Sequence, residues 1–319
     1  MKILLYIFSI ILIFISPFMG EISLNIQNIV DFTHKENIIF WELRVPRVIL
    51  AFFVGGILAL GGLVFQSIFK NELITPYTLG IASGTTLFTA FTIVFLPFLP
   101  LLLGSVFGSF FTIIILFFIS KILNNNIISS STNSILLIGI ALSYFYGSAL
   151  MMIFYMSNLQ ENYSIVRFTL GSLDIVGFED SFIVMFVAFI FLIFIKYFQK
   201  SIKLILISNE TAFLKGLNVD KTNLLILIFV SLCIGITISF VGPIGFIGLV
   251  IPHIVKIIYK KSAEKLFFPT FFFGGIFLLF CDLISRNLNT DSTLPIGVVT
   301  AFIGAPFFVY LLIKKNKKR

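Results

Sequence analysis

The chain has 319 residues, 59% of them hydrophobic and 11% charged, with a formal net charge of +8. Soluble domains carry about 25% charged residues, so this composition, with a mean hydropathy of +1.12, excludes an ordinary soluble domain and points to a polytopic membrane protein. The positive balance raises nucleic acid as a partner; the distribution of the charges, taken up below, argues against it.

A hydrocarbon core about 30 Å thick takes roughly 20 apolar residues per helix. Scanning in chain order gives ten such runs, at about 3–19, 46–68, 77–96, 100–120, 134–156, 181–199, 223–241, 243–259, 266–285 and 294–313. They are continuously apolar and lack period-two alternation, so they read as helices rather than barrel strands. The predicted fold is all-α, a single transmembrane domain over residues 1–319. The first run follows Lys2 like a signal peptide but has no clear small-residue cleavage site, and it is read as helix one.

An outer segment from about Gly20 to Val45 precedes helix two, which opens in "RVPR" (44–47). Pro46 suits the first helical position, where its missing N–H costs nothing, and it biases Val45 toward an extended conformation. Arg44 is then expected just outside the helix and Arg47 in its first turn. Small residues recur at fourth positions, Ala51, Gly55 and Ala59, then Gly80 and Gly84, then Gly297, Ala301 and Ala305, a spacing that lets helix backbones approach. A faint internal echo links "GLVFQSIFK" (62–70) to "GLVIPHIVK" (248–256). The outer segment Arg167–Asp180 leaves two readings open, a short interfacial or re-entrant helix and a plain connector.

The longest inner segment runs from Lys200 to Asn223. Asn209 or Thr211 is expected to cap a short helix there, Ala212, Phe213 and Leu214 give it an apolar patch, and Gly216 stops it. A surface for a protein partner and a solvated loop both fit these features. Further on, Asp282 and Arg286 have the spacing of an intrahelical pair. Cys233 and Cys281 lie in apolar runs and read as buried small hydrophobes.

With ten spans and Lys2 inside, the cytoplasmic side holds 17 of the 22 lysines and arginines, as the positive-inside rule requires. Both termini are therefore expected to be cytoplasmic, and no nucleic-acid partner is implied. The outer side has Lys35, Arg44, Arg47, Arg167 and Arg286, so residue type separates the two faces. Lysine would snorkel to lipid headgroups as well as arginine. Only arginine's planar fork grips a carboxylate through two parallel hydrogen bonds.

Every acidic residue lies in a loop or near a helix end. Ion-coupled carriers place ionisable groups within the bilayer, so a secondary transporter is disfavoured, although backbone carbonyls also bind Na⁺. His34 and His253 fall on opposite sides, and His253 reads as a polar helix-end residue rather than a ligand. No H-E-x-x-H helix, complete G-x-S-x-G elbow or phosphate loop is present. No metal site or catalytic residue is assigned, and any nucleotide hydrolysis belongs to another chain.

Four stretches carry a family resemblance: residues 44–84, "GSLDIVGF" (171–178), "VGPIGFIGLVIPHIVK" (241–256) and "LPIGVVTAFIGAPFFVYLL" (294–312). They resemble the FecCD-like permease subunits of bacterial ABC importers for iron-siderophores, haem and cobalamin. The resemblance implies a type II importer architecture in the bacterial inner membrane and a second permease subunit, either an identical copy or a related chain. It further implies two cytoplasmic ATPases that bind ATP and Mg²⁺, a periplasmic binding protein, and no cofactor in this chain. By position, Arg44, Arg47 and Arg286 match arginines that receive carboxylates of the binding protein. Asn209, Glu210, Ala212, Phe213, Leu214, Gly216 and Leu217 fall in the segment that docks on the ATPase. Ser131 and Thr132 match a cytoplasmic gate and Ser83 a second constriction. Two positions depart from the family: Glu72 replaces the proline of N-P-L-A, and Lys215 replaces a leucine.

Overall fold

The computed structural model describes residues 2–20, 22, 24–31, 34–123, 132–288 and 294–316. Among them the chain forms fifteen α-helices and no strand. They are α1 (Lys2–Ile15), α2 (Ile26–Val30), α3 (Lys35–Ile38), α4 (Val45–Ile68), α5 (Ile81–Phe95), α6 (Leu101–Leu123), α7 (Thr132–Met156), α8 (Leu159–Leu170), α9 (Glu179–Tyr197), α10 (Gln199–Ile207), α11 (Asn209–Leu214), α12 (Val219–Val241), α13 (Ile247–Tyr259), α14 (Phe267–Asn287) and α15 (Ile296–Asn316). Helices α1, α4, α5, α6, α7, α9, α12, α13, α14 and α15 coincide with the ten apolar runs. Six are long and apolar enough to cross a bilayer outright; α1, α5, α13 and α15 carry shorter apolar stretches, that of α15 being Ile296–Leu311.

Helix α4 is apolar all round, the signature of a helix enclosed by others. In its most apolar stretch 83% of the residues are buried, against 17% in α7, which runs along the perimeter. Helices α9, α12, α13 and α14 surround α4, while α5 pairs with α6 and α7. Glycine makes the closest crossings possible. A methyl group on Gly55 would lie 2.9 Å from the carbonyl carbon of Gly274, and one on Gly62 would lie 2.6 Å from that of Gly248. Gly62 and Gly248 are the first residues of the two echoed segments, so the echo marks two helices that cross at matching positions. Gln66 Nε2 then donates to Gly248 O (3.1 Å), and Lys256 Nζ donates to Gln66 Oε1 (3.2 Å).

Three local expectations are corrected. Val45 is helical (φ −63°, ψ −48°), not extended, because Ile39–Arg44 forms a π-helical turn that runs straight into α4. Proline deprives the carbonyl four residues back of its usual donor. That carbonyl, Glu42 O, accepts instead from Gly177 N at 2.8 Å, so helical geometry before Pro46 leaves no acceptor stranded. Second, of the two readings open for 167–180 the connector holds over 171–178, and the helix lies earlier. Asn158 and Glu161 form a reciprocal capping box that starts α8, Gly171 (φ +74°) ends it, and 171–178 is non-helical up to α9. Third, Ser208 caps α11 by accepting from Glu210 N (3.1 Å), displacing Asn209 and Thr211 from that role.

Candidate functional site

The π turn, the start of α4, the end of α8 and the last turn of α14 meet at one end of the bundle. They place Arg44, Arg47, Arg167 and Arg286 around a cavity of about 430 Å³, together with Asp174. Only five arginines exist in the chain, so four of them line a single cavity. A second cavity of about 340 Å³ adjoins it, sharing Arg47, Arg167 and Asp174 and adding Tyr163 and Pro295.

The four guanidiniums are held differently. Arg44 is buried and donates through Nη1 to the carbonyls of Pro17 (3.3 Å) and Phe18 (3.2 Å) and through Nη2 to Ile22 O. It ties the segment after α1 to the start of α4. Arg286 donates through Nη2 to Ser16 Oγ (3.0 Å) and through Nη1 to Met19 O (3.2 Å), and its Nε lies 3.0 Å from Asp282 Oδ2. That last approach is an ionic contact without an aligned hydrogen bond. The expected intrahelical pair therefore forms and orients the arginine.

Arg47 carries two acids, Asp282 Oδ1 at 2.8 Å on Nε and Asp174 Oδ1 on Nη1. Asp282 is 0% exposed, whereas the side chain of Asp174 is 34% exposed. Asp174 also accepts from Ser172 Oγ (2.7 Å) and lies 3.6 Å from Arg167 Nη2. Burial alone would raise the Asp174 carboxyl, but Arg47, the Ser172 hydroxyl and Arg167 outweigh it and hold it below its ordinary value. Arg167 is 59% exposed and has no other partner among the described residues. Sequence reasoning did not place Arg167 or Asp174 in the site; the available signal was the use of arginine over lysine on that face.

At the opposite, lysine-rich end, α10 and α11 form a small bracket. Ala212 is fully buried against Ile205 and Val219, with Leu217 packed beside them. Gly216 (φ +80°) closes α11, and Leu217 N returns to Ala212 O at 3.0 Å. Asn209 Oδ1 accepts from Lys70 Nζ (3.3 Å), which joins the bracket to the end of α4. Glu210 is exposed, and Phe213 and Leu214 are 72% and 82% exposed. The predicted coupling residues thus divide into outward-facing Glu210, Phe213 and Leu214 and supporting Asn209, Ala212, Gly216 and Leu217. Nearby, Glu72 Oε2 lies 3.6 Å from His253 Nδ1, so the carboxylate in place of the family's proline has a partner on α13. Ser83 is half-buried in α5. Ser131 lies outside the described residues, and Thr132 opens α7 with its side chain outside them.

Among the described residues no group of three or more His, Cys, Asp or Glu could hold a metal ion. A bundle of apolar helices with a charged cavity at one end and a projecting bracket at the other is the architecture of a multi-pass membrane protein. The sequence profile of the FecCD transport family matches residues 7–314. A Helicobacter pylori permease protein, named for an iron chelatin transport system, is 33% identical over 305 residues, covering 92% of this chain and 89% of that one. The hemin transport system permease protein HmuU of Yersinia pestis is 30% identical over 320 residues, covering 99% and 96%. Among solved structures, a metal-chelate type ABC transporter in an inward-facing conformation matches with a TM-score of 0.85 and 26% identity, over 97% of each chain. The chain belongs to the FecCD transport family.

Proposed function

We propose that this chain is the membrane subunit of an ATP-driven importer that moves a ferric chelate across the bacterial inner membrane. The arginine-rich end faces the periplasm, and both termini lie in the cytoplasm. Two copies enclose the pathway, two ATPases dock on the α10–α11 brackets, and an acidic binding protein delivers substrate to the arginine cavity. The convergence of four of the chain's five arginines on one cavity carries the docking reading. Their two carboxylates leave it with an excess of positive charge, and charge complementarity of this kind steers and orients an acidic partner. The iron chelate follows the naming of the Helicobacter pylori relative, and the solved transporter is of metal-chelate type. An ion-coupled carrier fits less well, since the fully buried carboxylate Asp282 sits between two arginines.

The test is reconstitution in nanodiscs with the cognate ATPase and binding protein. Arg47→Gln, which leaves Asp282 paired with Arg286, is expected to abolish association with the binding protein and stimulation of ATP hydrolysis by it, while the permease keeps its ATPase. Wild-type affinity at low and high salt would leave Arg44, Arg47 and Arg286 as structural ties within the chain.

A further inference from the structure

Arginine cavities that dock carboxylates are expected to present open forks, yet three of these four do not. Arg44 is spent on the carbonyls of Pro17, Phe18 and Ile22, and Arg286 on Ser16, Met19 and Asp282. Arg47 is held on Nε and Nη1 by two acids of its own chain. Those two acids are not equivalent. Asp282 has no route to solvent, and its departure would leave Arg47 and Arg286 facing one another in a buried site. Asp174, with 34% of its side chain exposed, sits on the cavity wall and on a non-helical segment.

We propose that Asp174 occupies Arg47 as an internal stand-in for the partner's carboxylate, and that docking proceeds by exchange, with Arg167 making the first contact. This rests on the reading that an acidic binding protein docks at the arginine cavity. Arg167 is the one exposed guanidinium there, held only by a single 3.6 Å contact to Asp174 Oδ2 among the described residues. A carboxylate that reaches Arg167 competes with Asp174 from its solvent side. Once Asp174 leaves Arg47 Nη1, the Nη1–Nη2 edge is open and donates two parallel hydrogen bonds to the incoming carboxylate. Asp282 stays on Nε throughout and keeps the fork aimed into the cavity.

The exchange also acts on the segment that carries Asp174. Residues 171–178 are tied by Ser172 N to Val241 O (2.9 Å), by Gly171 O to Ile296 N (3.2 Å) and by Gly177 N to Glu42 O (2.8 Å). They bridge the end of α12, the start of α15 and the turn before α4. Asp174 therefore sets the threshold for docking at a junction of three elements.

Binding kinetics of the purified binding protein on nanodisc-held permease test this. Asp174→Asn removes the competitor and is expected to tighten association about three- to fivefold, the worth of a partly exposed ion pair. Ser172→Ala, which leaves the carboxylate but removes its hydroxyl anchor, should shift affinity the same way by less, and Asp174→Glu should stay near wild type. Arg167→Gln should slow association and flatten its salt dependence while leaving dissociation unchanged. Arg47→Gln, which leaves Asp282 paired with Arg286, is the control for the docking reading. If Arg47→Gln abolishes binding while Asp174→Asn and Ser172→Ala bind at wild-type affinity or more weakly, exchange is wrong and docking stands. If Arg47→Gln binds as wild type, the docking reading falls and the exchange falls with it.

Discussion

Replacing Asp282 with asparagine removes one negative charge from a fully buried position between two cations. Arg47 Nε lies 2.8 Å from Oδ1 and Arg286 Nε 3.0 Å from Oδ2. A unit pair at 4 Å attracts by about 4 kcal/mol at an effective dielectric near 20, so two shorter contacts amount to a gross attraction on the order of 10 kcal/mol. Desolvation of three ions cancels most of it, and the net cost of removing one partner from a buried pair is about 3–5 kcal/mol. Asparagine keeps the volume and one acceptor oxygen, which puts the expected loss near the lower end, about 3 kcal/mol. The assay is unfolding of the purified permease by SDS titration from mild detergent, followed by circular dichroism. The double variant Asp282→Asn with Arg286→Met should recover at least half of the loss, because Arg47 then retains Asp174 and no second cation faces it. A single variant that unfolds at the wild-type midpoint would refute the view that Asp282 neutralises two buried arginines.

Gly62→Val should weaken the α4–α13 crossing by at least about 1–3 kcal/mol in the same titration, since its first carbon would lie 2.6 Å from the Gly248 carbonyl carbon and the helices must separate. At the bracket, Phe213→Glu or Leu214→Glu should abolish copurification of the ATPase while the permease stays folded. Ala212→Glu should instead unfold the bracket itself, seen as new protease cleavage near 208–217, because Ala212 has no exposed surface. The stability that Asp174 contributes should be constant from pH 8 to pH 5. Its carboxyl is held below the ordinary 3.8, so the contribution is complete above that value and lost only as pH falls through the lowered one; a difference between wild type and Asp174→Asn that declines between pH 7 and pH 5 would contradict the assignment. Reporter fusions at Asn316 should be active only for a cytoplasmic reporter, and a periplasmic signal would reverse the proposed orientation.

The sequence by itself determined the ten apolar helices, the separation of lysine from arginine, and the stop at Gly216. Each is a local property: a run of apolar side chains must leave water wherever it lies, and a glycine's freedom at positive φ needs no distant partner. The paired state of Asp282 and Arg286 was legible for the same reason, as they share one helical turn. Only the tertiary structure decided which arginines are committed and which is open. Arg47 meets Asp174 across 127 positions and Asp282 across 235, and no periodicity or spacing marks partners so far apart. Helical backbone before Pro46 likewise depended on Gly177, whose N–H arrives from a different segment to take up the Glu42 carbonyl. The inward turn of Ala212 and the outward turn of Phe213 depended on how α10 and α12 pack on α11. An ion pair or a buried methyl is fixed by what stands opposite it, and that is set only when distant helices pack.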